Sequence, residues 1–104
     1  MATRPMRIRA VEKDGITEVK VLMSHIMETG QRKDGEGNVV PAHFIDLVEA
    51  KCNDKTVMNA QWGPAVSRDP FLAFKFKGGN KGDKVTVSWR DNKGETRTDT
   101  ADIR

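Results

Sequence analysis

Residues 62–79 read Trp-Gly-Pro-Ala-Val-Ser-Arg-Asp-Pro-Phe-Leu-Ala-Phe-Lys-Phe-Lys-Gly-Gly. Four of the chain's six aromatic residues fall here: Trp62, Phe71, Phe74 and Phe76. Gly63, Pro64 and Pro70 exclude regular helix from the first part, because proline removes an amide donor and restricts the residue before it. In the second part Leu72, Phe74 and Phe76 alternate with Ala73, Lys75 and Lys77, the period of a half-buried strand. The stretch is thus a rigid loop feeding an apolar strand that ends on glycines. The loop is also a candidate docking surface for another protein. A single-stranded nucleic-acid platform needs aromatics and cations on one face. Here parity puts the phenylalanines opposite the lysines.

Outward from this stretch the same period repeats. Met6, Ile8 and Ala10 alternate with Arg7 and Arg9, and Asp14-Gly15 marks a turn. Val19, Val21 and Met23 then face one way, Glu18 and Lys20 the other. Residues 24–31 carry no clear period, and residues 34–38 form a polar glycine loop. Pro41 is expected to open a third strand running through Ala50. Phe44 and Val48 would lie on one face and Ile45 and Leu47 on the other, so that both faces are apolar and something outside the core covers one of them. Residues 56–62 form a fourth strand. Residues 78–83 are read as a hairpin loop, followed by Val85, Val87 and Trp89 in the cleanest alternation of the chain. Asp91-Asn92-Lys93-Gly94 turns into a last strand of threonines and charges, which suits a sheet edge. About seven strands with no helix make an all-β chain. Two packed antiparallel sheets, a β-sandwich, are the natural way to bury them.

A chain of 104 residues forms one domain, 1–104, and buries a single core without metal or disulfide staples. The lone Cys52 excludes an internal disulfide and a thiolate-rich metal site. No apolar run is long enough to cross a bilayer. The first residues lack an apolar signal core, which by itself points to the cytoplasm. A formal charge of +3 is small for a nucleic-acid binder. The excess sits in the second half, where Lys75, Lys77, Lys81, Lys84 and Arg90 are candidates for steering anions or an acidic partner.

Catalytic signals are weak. His25 and His43 lie far apart with no carboxylate at ligand spacing, and read as structural or surface histidines. No nucleophile elbow or phosphate loop occurs. Cys52 ends the third strand on the parity of Val48 and Ala50, as a small core thiol. It is also the candidate intermolecular thiol, and Lys51 beside it would favour a thiolate. A stand-alone thiol enzyme using Cys52 is the rival reading, and a basic nucleic-acid binder a third.

Residues 16–33, Ile-Thr-Glu-Val-Lys-Val-Leu-Met-Ser-His-Ile-Met-Glu-Thr-Gly-Gln-Arg-Lys, with Pro41-Ala42-His43-Phe44-Ile45, residues 62–71 and Phe74-Lys75-Phe76-Lys77-Gly78-Gly79, resemble the SoxZ family over about Met6 to Ile103. The resemblance implies an immunoglobulin-like antiparallel sandwich without catalytic groups or cofactor. It implies pairing with SoxY, whose Gly-Gly-Cys-Gly-Gly arm carries thiosulfate-derived intermediates between periplasmic enzymes. It further implies export in company with that partner, against the cytoplasmic reading of the N-terminus. On this basis the expected partner contacts are Phe44, Trp62, Pro64, Val66, Asp69, Pro70 and Phe71.

Overall fold

The computed structural model describes residues 3–104. Seven strands form: β1 (Arg7–Lys13), β2 (Ile16–Leu22), β3 (Ile45–Cys52), β4 (Lys55–Gln61), β5 (Phe71–Lys77), β6 (Lys84–Asp91) and β7 (Thr96–Asp102). They make two antiparallel sheets, ordered β1-β2-β5 and β4-β3-β6-β7. The described residues contain no helix. The all-β sandwich expected from the alternating pattern is therefore the fold.

Alternation decides what is buried. Val19 and Val21 from β2, Val48, Ala50 and Cys52 from β3, and Val85, Val87 and Trp89 from β6 meet between the sheets, joined by Met23 and Ile45. Each fully buried valine or isoleucine contributes about 1.5–3 kcal/mol of transfer free energy. One side of the sandwich is closed. Ala10 bridges Ile103 in parallel, the Arg104 amide donates to the Ala10 carbonyl at 2.9 Å, and the Glu12 amide donates to Arg104 at 2.9 Å. On the other side β4 and β5 are both sheet edges. Leu72, Phe74 and Phe76 are consequently only half-buried.

Three expectations are corrected. The third strand begins at Ile45 rather than Pro41, because residues 42–44 are held by Asn92. Its Oδ1 accepts the Phe44 amide at 2.8 Å, and its Nδ2 donates to the Ala42 carbonyl at 2.9 Å. A bulge at Asp46 shifts the β3–β6 register, since Ile45 opposes Asp91 while Leu47 opposes Arg90. One extra residue resets parity, so Ile45 and Val48 both point into the core. The doubly apolar look of this strand is that bulge, and no outside cover is needed to explain it. Residues 78–83, read as a hairpin, instead cross between sheets, since β5 pairs with β2 and β6 with β3 and β7. The polar last strand is an edge, as expected.

The crossover packs tightly at Gly79, whose φ is +79°. A Cβ there would lie 2.6 Å from Thr17 Oγ1 and 3.0 Å from Ile103 Cδ1. The Thr17 hydroxyl is not free to retreat, as it donates to the Gly78 carbonyl at 2.7 Å. Gly79→Ala should therefore cost about 2 kcal/mol or more, from left-handed backbone strain and overpacking together. Gly94→Ala has the same sign of φ but open space around it, and should cost less. Urea unfolding of the two variants checks the difference.

Candidate functional site

The two ends of the sandwich differ. At one end β2 finishes, β3 and β5 begin, and β6 finishes. There three chain segments converge on Asp91, fully buried. Asp91 Oδ2 lies 3.1 Å from His25 Nε2 and 2.7 Å from His43 Nε2. Its Oδ1 accepts the amides of Lys93 at 3.0 Å and Glu95 at 2.9 Å. The imidazoles pack edge to face with centroids 4.6 Å apart, and His25 packs likewise on Trp89 at 5.2 Å. The Met27 amide donates to His25 Nδ1 at 3.1 Å, across a tight turn that leaves Met27 at φ +50°. With Nδ1 accepting, the His25 proton sits on Nε2 and points at the carboxylate.

Two imidazole nitrogens and a carboxylate oxygen within 4.8 Å of one another is also a metal-ligand set. The hydrogen bonding opposes that use. His25 Nε2 would have to give up its proton and Nδ1 would have to take one, losing the Met27 amide. Asp91 already accepts four donors, so both of its oxygens are engaged. The cluster is a hydrogen-bonded hub. It was illegible in sequence because its carboxylate lies 48 residues beyond His43; both histidines are buried. Beside it a cavity of about 220 Å³ is lined by Ser24, His25, His43, Arg68, Trp89 and Glu95 among others. The Trp89 indole N–H is buried without a partner among the described residues.

The 62–71 loop is fastened to the same hub. The Asp69 amide donates to the His25 carbonyl at 2.9 Å, and the His25 amide returns a bond to Asp69 Oδ1 at 3.0 Å. The Met23 amide donates to the Pro70 carbonyl at 2.9 Å. Asp69 holds φ +50° to make this exchange, a conformation aspartate tolerates better than most residues. All seven expected partner-contact residues lie at this end, but they do different work. Pro70 is buried and Asp69 is internally engaged. Phe44, Trp62 and Val66 are half-buried against the core, and Pro64 is exposed. Phe71 is 62 % exposed, the most exposed large apolar residue among those described, and its cross-strand neighbour Leu22 is 43 % exposed.

The five expected steering cations do not form one surface. Lys75 and Lys77 lie on the outer face of β1-β2-β5. Lys84 is bonded to Asp102 and Arg90 to Asp46, both on the other sheet, and exposed Lys81 lies in the crossover. Cys52 is at the far end, opposite Val85 and Lys55, and buried. Burial pushes its thiol up, Asp83 adds to this, and Lys55 opposes it weakly. Lys51 does not produce a thiolate.

The geometry defines a two-sheet β-sandwich with a hydrogen-bonded polar cluster at one end and a buried thiol at the other. Within that class the chain belongs to the SoxZ family, since the family model described as sulphur oxidation protein SoxZ matches residues 6–102. Membership assigns it a role in sulfur oxidation. No curated protein matches the chain. Among solved structures, a hypothetical protein from Pyrococcus horikoshii OT3 is similar at 14 % identity and TM-score 0.63, covering 97 % of this chain and 88 % of the other. A superoxide reductase (neelaredoxin) from Archaeoglobus fulgidus is similar at 19 % identity and TM-score 0.60, covering 96 % and 89 %. At such identities the likeness is one of fold.

Two outcomes follow from this geometry. Burial alone would raise the Asp91 carboxyl, but the donors on His25, His43, Glu95 and Lys93 outweigh it and hold the group below its ordinary value. Its contribution is therefore complete above the unfolded carboxylate range near about pH 4, and is lost as pH falls through the lowered folded value. Asp91→Ala should cost roughly 3–5 kcal/mol at pH 7, since it strands two buried imidazole donors and two part-buried amides. The gap from the parent protein should narrow in urea titrations near pH 3. For Cys52, iodoacetamide labelling at neutral pH should be slow in the folded protein and rise at least tenfold in denaturing urea. Rapid labelling of the native chain would revive the thiol-enzyme reading.

Proposed function

We propose that this chain is the non-carrying subunit of a sulfur-carrier heterodimer. It holds a SoxY-like protein whose C-terminal arm cysteine carries covalent thiosulfate-derived intermediates from one periplasmic enzyme to the next, and it reaches the periplasm bound to that partner. The observation that carries this reading is the SoxZ family match across residues 6–102. The site supports it in two ways. The only thiol is buried with its pKa raised, which suits a protein that leaves sulfur chemistry to another chain. The 62–71 loop is pinned to the Asp91 hub through Asp69 and Pro70, so Phe71 is presented from a rigid base and loses little entropy on docking.

A permanent partner would bury about 1,600 Å² in total, and an exposed Phe71 beside Leu22 is the natural anchor of such a contact. Co-expression with a SoxY-like chain should give a stable one-to-one complex on size exclusion. Phe71→Ala should weaken that complex at least tenfold while leaving the melting temperature of the free subunit within a few degrees. A chain that stays alone when offered such a partner, or that turns over thiosulfate by itself, would overturn the assignment.

A further inference from the structure

The strand registers set three residues side by side across the outer face of β1-β2-β5 in every row. The rows are Arg7–Leu22–Phe71, Arg9–Lys20–Ala73, Val11–Glu18–Lys75 and Lys13–Ile16–Lys77. Six of these twelve side chains are cations (Arg7, Arg9, Lys13, Lys20, Lys75, Lys77), five are apolar and one, Glu18, is acidic. Glu18 lies 3.6 Å from Lys20 and 3.8 Å from Lys75, shared between two lysines. The outer face of the other sheet is nearly balanced: Lys51, Lys84 and Arg90 stand among Glu49, Asp102 and a row of threonines. One face thus carries more positive charge than the whole molecule's net +3. Ala73, Val11 and Ile16 stand singly in their rows, while Leu22 and Phe71 adjoin at one end. A shallow depression of about 210 Å³ there is lined by Arg7, Ile8, Arg9, Lys20, Leu22 and Phe71.

We infer that this face is a docking surface for an acidic protein surface, with carboxylates over the Arg7–Arg9–Lys20–Lys75 field and an apolar group on Leu22 and Phe71. The inference rests on the carrier-subunit reading and assigns the occupant to that partner's body. The excess of six cations over one carboxylate and continuity through Phe71 with the pinned loop argue for it. A single-stranded nucleic acid would gain from bases stacked on the cationic face, and that face offers one aromatic, because Phe74 and Phe76 point the other way. Three strands of seven residues span only about 14 by 23 Å. That is well short of a stable interface alone, so the face extends the loop contact and steers the encounter.

The test measures association of the heterodimer with a purified SoxY-like subunit at 50 and 500 mM salt. Arg9→Glu/Lys20→Glu/Lys75→Glu should slow association at least tenfold at low salt and much less at high salt. Lys51→Glu/Lys55→Glu/Lys93→Glu, with the same charge change away from this face, should lower it by less than threefold. If the first variant does not fold, Lys20→Ser/Lys75→Ser should show the same trend at smaller size. A complex that forms normally and responds equally to both charge sets overturns this inference and leaves the carrier reading intact. No complex with the parent protein overturns both. If a dT oligonucleotide or phosphatidylglycerol vesicles bind the parent and release the first variant, while the SoxY-like subunit ignores the change, the occupant is not an acidic protein.

Discussion

A single buried carboxylate organises the end of the sandwich where the chain changes sheets. Asp91 accepts from His25 on the segment leaving β2, from His43 on the segment entering β3, and from the amides of its own β6–β7 turn. A buried carboxylate left unpaired would be prohibitive. The arrangement is therefore satisfied as a unit or lost as a unit. That coupling converts three loops, each weak in intrinsic preference, into one rigid cap. It also explains why the connection from β2 to β3 can be 22 residues long without any strand of its own. Residues 25 and 43 anchor its two ends, and the Glu28–His43 and Lys33–Val39 bridges close what lies between.

The cap in turn determines what the 62–71 loop can do. Two prolines stiffen it from within, but stiffness alone does not aim it. The aim comes from outside, through the reciprocal bonds of Asp69 with His25 and the single bond that the Met23 amide donates to the Pro70 carbonyl. An aspartate at positive φ is a local conformational cost, offset here by two hydrogen bonds to one neighbouring residue. The consequence is that β5 starts at a fixed point with Phe71 outward and Pro70 inward. Binding then needs no ordering of the loop.

Much of this was legible in the sequence, and what was not shares one cause. Strand identity, the two-sheet architecture and the edge character of β7 follow from period-2 alternation, a local property. The bulge at Asp46, the crossover at 78–83 and the Asp91 hub depend on which strand lies beside which, and pattern does not encode that. The same limit applies to the candidate site. Phe71, Trp62 and Val66 stand out in the sequence because rigid aromatic loops are uncommon. The engaged state of Asp69 and the burial of Pro70 depend on His25 and Met23, more than 40 residues earlier. Cys52 was placed correctly by parity. Its lysine neighbour in sequence proved irrelevant, because successive residues on a strand face opposite ways.

Charge shows the point most clearly. Divided along the chain, the positive excess lies in the second half, and the obvious basic segment runs from Lys75 to Arg90. Divided by surface, four of the six cations on the β1-β2-β5 face come from the first half, while Arg90 and Lys84 are neutralised by partners on the other sheet. Folding thus separates charge that the linear sequence interleaves. It does so with no shift of composition, simply by setting the odd-numbered residues of β1 and β5 beside the even-numbered residues of β2. A face built this way repels itself, with only Glu18 to moderate six cations. Beyond Glu18, solvent and salt are left to screen that repulsion. Such a face lowers its free energy when carboxylates come to lie over it, and the exposed Phe71 at its corner gains by leaving water.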